Sequence, residues 1–367
     1  MRTDDFDYQL PASLIAQQPL AERSASRLLV VPQADGAKEA GAAESSARPP
    51  LPALTPLPPF EDRHFTDLPS LIPTGDLLVL NTTRVRPARL LGTRPGGGSA
   101  EVLLIHPSTD GTWVAMGKPG SALRPGKRIR LDDEIEVETV EILEEGYRRV
   151  RFVGGTAETA LARLGHMPLP PYIARADEAT DRERYQTVYA EREGSVAAPT
   201  AGLHFTPQIL AEIERKGVGI ARIDLEVGPG TFRPVEEPDP SSHPMHPEHY
   251  EIPAAAADAI TNTRERGGKV WAVGTTVVRT LETAARQDGT VAGGAGETRL
   301  LILPGYQFKV VDRLLTNFHL PRSTLLMLVC ALGGTERILA AYRHAVEAKY
   351  RFYSYGDAML IKKAVSR

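Results

Sequence analysis

A single cysteine in 367 residues, Cys330, excludes a disulfide framework and any cysteine-built metal centre. It sits in the apolar run Leu325 to Leu332 and suits a reducing compartment. The net charge of -3 excludes a uniformly basic nucleic-acid coat, although local charge still decides phosphate contact. Long apolar runs are missing too. The longest, Thr324 to Gly334, falls short of the ~20 residues needed to cross a bilayer, and Met1 to Phe6 open no signal-like stretch. A soluble, cytoplasmic protein without membrane contact is expected.

Several chemical signatures are absent. No G-x-G-x-x-G follows a strand, so neither a dinucleotide fold nor the glycine loop of common methyltransferases is signalled. Gly120 to Arg128 matches a phosphate loop only loosely, one residue too long and with Arg128 in place of Ser or Thr. No G-x-S-x-G elbow is present. His243, His246 and His249, with Glu248 between them, have the spacing of a helical metal face. Pro244 and Pro247 oppose a helix there, and no metal site is expected.

What is present is an ordinary globular balance, 42% apolar and 24% charged, in a chain longer than one usual domain. Residues 33 to 59 are rich in Ala, Pro, Ser and Gly and predict an exposed flexible insertion. Residues 87–154 change character. Short apolar runs at 101–105, 113–116, 128–131, 134–138 and 147–152, separated by turns, predict a small inserted β-barrel or sandwich.

The flanking parts, 1–86 and 155–367, read as one large α/β domain. Thr206-Pro207 starts a helix that Gly217 ends, and a strand carrying Ile223, Leu225 and Val227 follows. Residues 254–266 predict a helix and 270–273 a buried strand, after which Thr276 caps the next helix. Residues 300–303 predict a strand, and a last helix spans 336–349 with Thr335 as its cap. Such alternation implies a parallel sheet or incomplete barrel, with its sites beyond the strands' C-terminal ends.

The unusual polar clusters fall at those ends: Ala198 to Thr206, Glu226 to Phe232, Gly274-Thr275-Thr276 and Thr316 to His319. Glycines allow close backbone approach, and the helix N-terminus after Gly274 offers N–H groups to a carboxylate or phosphate. His204 and His319 lie in these loops, where an imidazole serves as acid, base or hydrogen-bond donor. For nucleic acid, the better patch is Lys118, Arg124, Lys127, Arg128 and Arg130, a stretch without an acid. Arg148, Arg149 and Arg151 face the densely acidic residues 132 to 145, and cross-strand pairing accounts for them.

At these clusters the sequence resembles the S-adenosylmethionine:tRNA ribosyltransferase-isomerases of queuosine biosynthesis. The matching segments are APTAGLHFT at 198–206, AVGTTVVRTLE at 272–282, TNFHLPRSTLLMLV at 316–329 and YRFYSYGDAMLI at 350–361. Shorter ones are Asp5 to Tyr8, Ser26 to Val30, Val85 to Arg89 and Arg184 to Tyr189. Together they span nearly everything except the Pro/Ala-rich insertion.

The resemblance implies a partial-barrel-like large α/β domain with a small inserted antiparallel β-barrel, acting as a cytoplasmic monomer. The implied reaction moves the ribosyl part of S-adenosylmethionine onto 7-aminomethyl-7-deazaguanine at the tRNA wobble position. It gives epoxyqueuosine and releases adenine and methionine, with S-adenosylmethionine as co-substrate and neither cofactor nor metal. His204 and His319 become the acid/base candidates. Thr200, Thr275, Thr276 and Asn317 become positioning groups. Glu226, Arg279 and Glu282 complete the substrate-binding set, the last two reaching the ligand or pairing with each other.

Four positions depart from the family pattern. Glu226 stands for a usual His, Thr82 for Asp, Pro247 for Ser and Cys330 for Ser. Glu226 keeps open a related enzyme acting on another nucleoside, and a silent tRNA-binding protein is the alternative of another class.

Overall fold

A computed structural model describes residues 1–32, 59–232 and 235–363. The insertion expected at 33–59 lies outside these except for its last residue.

The large part is built on a nine-stranded sheet. In sheet order its strands are Gly294–Thr298, Glu248–Ile252, Gly219–Leu225, Leu77–Asn81, Val270–Val273, Arg313–Asn317, Ala358–Lys362, Arg27–Val31 and Glu61–His64. Strands 219–225, 77–81, 270–273 and 313–317 run parallel. Strand 358–362 opposes 313–317, and antiparallel pairs finish both edges. Val270 to Val273 are all buried, as expected of a central strand covered on both faces. The outer strands 294–298 and 61–64 each have one sheet neighbour, so the sheet is open.

One core face is closed by Thr275–Ala284, Thr324–Gly333 and Thr335–Glu347, whose apolar residues join Val79, Ala272 and Leu314. The other is closed by Pro207–Arg215 against Leu78, Leu80 and Trp271. Trp271 is fully buried, with its indole N–H donating to Asp76 at 2.7 Å. The cap at Thr206 holds as expected, its hydroxyl accepting from the Ile209 N–H with Pro207 in the first turn. No single helix among the described residues is long and apolar enough to cross a membrane.

Residues 89–166 hold a second, seven-stranded sheet. Its strands Gly165–His166, Arg89–Thr93, Ser99–Pro107, Trp113–Lys118, Arg148–Val153, Glu136–Ile142 and Arg128–Arg130 pair antiparallel in that order, and the last six form the barrel wall. The pair Thr93↔Arg130 joins the last strand of that wall to its first and closes a small antiparallel barrel around Leu90, Val102, Leu104, Ile129 and Val150. Gly92 sits at the closure, where a Cβ would meet the Arg130 carbonyl oxygen at 2.6 Å.

Three expectations need correction. Residues 300–303 form no strand, because side chains take the Leu300 backbone: Arg279 Nε donates to its carbonyl at 3.0 Å and its N–H donates to Thr298 Oγ1 at 3.2 Å. Thr276 does not cap its helix. Gly274, at φ +91°, is the cap, and Thr276 lies inside the first turn. Thr335 likewise is the first helical residue, and Gly334, at φ +84°, joins its helix to the preceding one.

Candidate functional site

The loops that follow strands 270–273 and 313–317 meet the turn Thr200–His204 at one end of the sheet. They line a small cavity that is open on one side. Thr200, Thr275, Thr276, Asn317 and His319 all line it, so five of the expected residues are brought together. The turn is held down tightly: a Cβ at Gly202 would lie 2.1 Å from the Tyr189 hydroxyl, so only glycine fits.

The helix Thr275–Ala284 points its N-terminus into this cavity. No side chain caps it, so its first N–H groups remain available, and Thr276 Oγ1 is buried without a hydrogen-bond partner. Backbone donors and a positive dipole end suit a carboxylate or phosphate.

His319 forms part of the opposite wall. Its Nε2 is 2.9 Å from Thr316 Oγ1, and its N–H donates to the Tyr342 hydroxyl at 2.8 Å. Burial lowers its pKa to about 3, so the ring is neutral at pH 7. Among the described residues no protein group bonds Nδ1. A neutral imidazole in a cavity wall, with one nitrogen unbonded, accepts a proton or a hydrogen bond; it does not act as a cation.

His204, expected as its acid/base counterpart, is not in the cavity wall. It is stacked on Phe65 at 5.0 Å, with Nδ1 2.7 Å from Ser26 Oγ and Nε2 3.2 Å from Asn317 Nδ2. Burial, with Arg23 and Arg351 nearby, lowers its pKa to about 3. Both ring nitrogens are engaged by protein groups, and the residue lines a separate, smaller pocket with Arg23, Ser26 and Tyr355.

Arg279 and Glu282 do not pair with each other. Arg279 forms a buried ion pair with Glu248. Glu282 accepts from the backbone N–H groups of Lys309, Val310 and Val311 at 2.9–3.0 Å. Its carboxylate anchors the 309–311 loop, and neither residue lines the cavity.

A second, larger cleft lies between the barrel and the sheet, and Val227 lines both spaces. Glu226, Glu144, Glu145 and Glu248 outnumber Arg299 in its lining and leave it acidic even with Glu248 paired to Arg279. The Glu226 carboxylate has no hydrogen-bond or ion-pair partner among the described residues, whereas its N–H donates to the His249 carbonyl at 2.9 Å. Its side chain lies against Gly194, where a Cβ would come within 2.8 Å of it. Asp224, two residues back, has its pKa raised to about 6 by burial.

The histidine triplet does not converge. His243 pairs with Glu237 at 2.9 Å, His246 lies 2.5 Å from Glu145 without hydrogen-bond alignment, and His249 is exposed on its strand. Among the described residues no group of three or more potential ligands could hold a metal. Two of the other departures are absorbed structurally, and Pro247 lines the second cleft. Thr82 donates to the Ile223 carbonyl at 3.1 Å, and Cys330 is a core residue whose thiol burial pushes up to about 12.

The basic patch splits. Arg128 is neutralised by Glu136 and Glu138 at 3.1 and 3.2 Å, which removes it from the free phosphate-binding candidates. Lys118, Arg124, Lys127 and Arg130 are exposed and unpaired among the described residues. Lys118 is about 13 Å along its strand from Val114, a residue of the acidic cleft. Arg149 and Arg151 are paired across strands with Glu141 and Glu138, as expected, whereas Arg148 instead donates to the backbone carbonyls of Leu123, Gly146 and Tyr147.

Sequence reasoning missed Tyr172, Tyr353 and Ser354, which complete the cavity wall. Tyr353 has φ +70°, a rare conformation for an aromatic residue, and the dense aromatic segment Tyr350 to Tyr355 was its visible signal.

A family model described as queuosine biosynthesis protein matches residues 3–361. A protein of Anaeromyxobacter sp. (strain Fw109-5) named S-adenosylmethionine:tRNA ribosyltransferase-isomerase is 52% identical, over 99% of this chain and 100% of its own length. A protein of that name from Symbiobacterium thermophilum is 52% identical over 98% and 100%. The crystal structure of an S-adenosylmethionine tRNA ribosyltransferase from Thermotoga maritima is 35% identical, with a TM-score of 0.52 over 97% of this chain and 99% of that one.

Proposed function

The chain belongs to the queuosine biosynthesis protein family, and from that premise we propose that it is an S-adenosylmethionine:tRNA ribosyltransferase-isomerase. It transfers the ribosyl part of S-adenosylmethionine to a tRNA base and isomerises it, releasing adenine and methionine. The acceptor is 7-aminomethyl-7-deazaguanine at the wobble position, and the product is epoxyqueuosine. With tRNA as substrate the working compartment is the cytoplasm. The working unit is one chain.

The observation that carries this reading is full-length likeness at about half identity, joined to a cavity made from the same matching segments. The uncapped helix N-terminus at Gly274 and Thr275 receives the methionine carboxylate. The donor's sulfonium acidifies the adjacent 5′-carbon, so a neutral base suffices, and His319 is the imidazole in the wall. The sulfonium supplies the activation itself, and the reading includes no cofactor or metal. The acidic cleft beyond Val227 admits the acceptor base, whose aminomethyl group is cationic at neutral pH. Its phosphates meet the exposed residues Lys118, Arg124, Lys127 and Arg130.

The deciding experiment incubates the protein with S-adenosylmethionine and tRNA carrying 7-aminomethyl-7-deazaguanine, then reads the nucleosides by mass spectrometry. An epoxyqueuosine mass with free adenine supports the assignment. An unchanged base beside an active control enzyme overturns it.

A further inference from the structure

The buried amide of Asn317 has an orientation fixed by its neighbours. Nδ2 stands 3.1 Å from the Tyr353 carbonyl oxygen and 3.4 Å from that of Asp357. Carbonyl oxygens only accept, so the nitrogen must face them and Oδ1 must point away. Asn317 is 2% exposed and lines the cavity, yet Oδ1 has no hydrogen-bond partner. A buried acceptor left unpaired is a standing cost that an incoming N–H relieves.

The same nitrogen reaches His204 Nε2 at 3.2 Å. Because Nδ2 is a donor, Nε2 carries the lone pair and the imidazole proton sits on Nδ1, facing Ser26 Oγ at 2.7 Å. The Ser26 hydroxyl then donates to the Arg23 carbonyl at 3.5 Å, a long bond. The two Asn317 N–H hydrogens are shared among three acceptors, the longest contact being that to Asp357, and the stack on Phe65 holds the imidazole in plane. A protonated His204 would set two donors against each other at Asn317.

Resting on the reading that S-adenosylmethionine fills the cavity, we propose that His204 is a positioning residue. Together with the Tyr353 and Asp357 carbonyls it holds the Asn317 amide so that Oδ1 accepts an N–H from the bound donor. That molecule offers the N–H at two places, the adenine 6-amino group and the methionine α-ammonium.

Calorimetric titration of S-adenosylmethionine into the wild type, Asn317→Ala, His204→Ala and the double variant tests this. Each single change is expected to weaken binding about tenfold. The double variant should bind no more weakly than Asn317→Ala alone, because His204 acts through Asn317. Ser26→Ala leaves the ring and removes only its proton acceptor; a loss of about threefold keeps the test usable if His204→Ala does not fold.

Two analogues locate the N–H, one lacking the 6-amino group and one lacking the α-amino group. The analogue without the bonded amine should bind the wild type as weakly as S-adenosylmethionine binds Asn317→Ala, and should be indifferent to that change. Additive single effects, or both analogues staying sensitive to Asn317→Ala, overturn the inference. So does unchanged binding in His204→Ala with turnover lost and one limb of the pH–rate profile gone, which marks an acid or base. A wild type that binds no S-adenosylmethionine overturns the donor reading and this inference with it.

Discussion

Arg279, inside the helix Thr275–Ala284, is ion-paired with Glu248 on the strand Glu248–Ile252, and both side chains are 5% exposed. The contact fastens the helix that opens into the cavity to the outer part of the sheet. Glu248 also accepts from the Gly228 N–H at 3.2 Å, so the same carboxylate holds the loop between the two cavities. Breaking a buried pair strands a charge, whereas removing both partners does not. Glu248→Gln is therefore expected to lower unfolding stability by about 3–5 kcal/mol, read by urea titration. Glu248→Met with Arg279→Met should recover much of that loss, and a double variant as unstable as the single one would contradict the assignment.

His319 lines the cavity, and Thr316 occupies its Nε2 at 2.9 Å, while Nδ1 has no protein partner among the described residues. General-base catalysis contributes about 10²–10⁴-fold. His319→Ala should therefore reduce turnover by at least about 10²-fold, with S-adenosylmethionine affinity changed only a few-fold. Steady-state kinetics beside calorimetry separate the two quantities. Retained turnover would remove His319 from catalysis.

Both buried histidines make the fold acid-sensitive. His204 and His319 stay neutral down to about 3, mainly through burial, whereas unfolded histidine titrates near ~6.5. Below that value the unfolded chain takes up protons that the folded one refuses. Each histidine then costs about 1.4 kcal/mol of stability per pH unit as pH falls towards 3. Asp224 opposes this. Its pKa, raised to about 6 by burial, makes the folded state bind a proton first and gain stability from pH 6 down towards 4. Two fully buried groups against one partly exposed group leave a net loss of stability as pH falls from 6 to 4. Denaturation at pH 7, 6 and 5 checks the slope; Asp224→Asn should steepen it and His319→Asn should flatten it.

What the sequence displays and what it hides follow from the range of the interactions. The Thr206-Pro207 helix start and the apolar run Val270 to Val273 are set by neighbours in sequence, and both are legible. The strand Glu61–His64 is exposed throughout and carries no apolar pattern; its existence depends on pairing with Arg27–Val31. Of the site, Thr275, Thr276, Asn317 and His319 are visible as polar clusters at strand ends. The role of His204 is not, because its partner Asn317 is 113 residues away. Arg279 likewise finds Glu248 across 31 residues rather than Glu282 on its own helix.

The unpaired cations on the barrel are expected to serve tRNA alone. Lys118→Ala, Arg124→Ala and Lys127→Ala should each raise KM for tRNA, and each lost phosphate contact should reduce the salt dependence by about one in log–log slope. S-adenosylmethionine affinity should not move. Arg128→Ala is the internal control: its guanidinium is already spent on Glu136 and Glu138, so it should leave the salt slope unchanged. A salt slope unmoved in all the variants would put the tRNA backbone elsewhere.

Glu226 is the departure from the family pattern with the clearest chemical consequence, because its carboxylate has no partner among the described residues and lines the acidic cleft that adjoins the first cavity at Val227. Such a carboxylate beside Glu144, Glu145 and Glu248 attracts a cation, and the aminomethyl group of the acceptor base is one. A hydrogen bond to a charged group contributes about 1.5–3 kcal/mol, or roughly 10- to 100-fold in affinity. Glu226→Gln should therefore raise KM for modified tRNA by at least about tenfold, with S-adenosylmethionine binding unchanged. Glu226→His restores the usual family residue but not the negative charge, so its KM should resemble that of the glutamine variant at neutral pH. Wild-type KM in Glu226→His together with a raised KM in Glu226→Gln would instead mean that the position works as a base, since imidazole and carboxylate share that capacity and the amide lacks it.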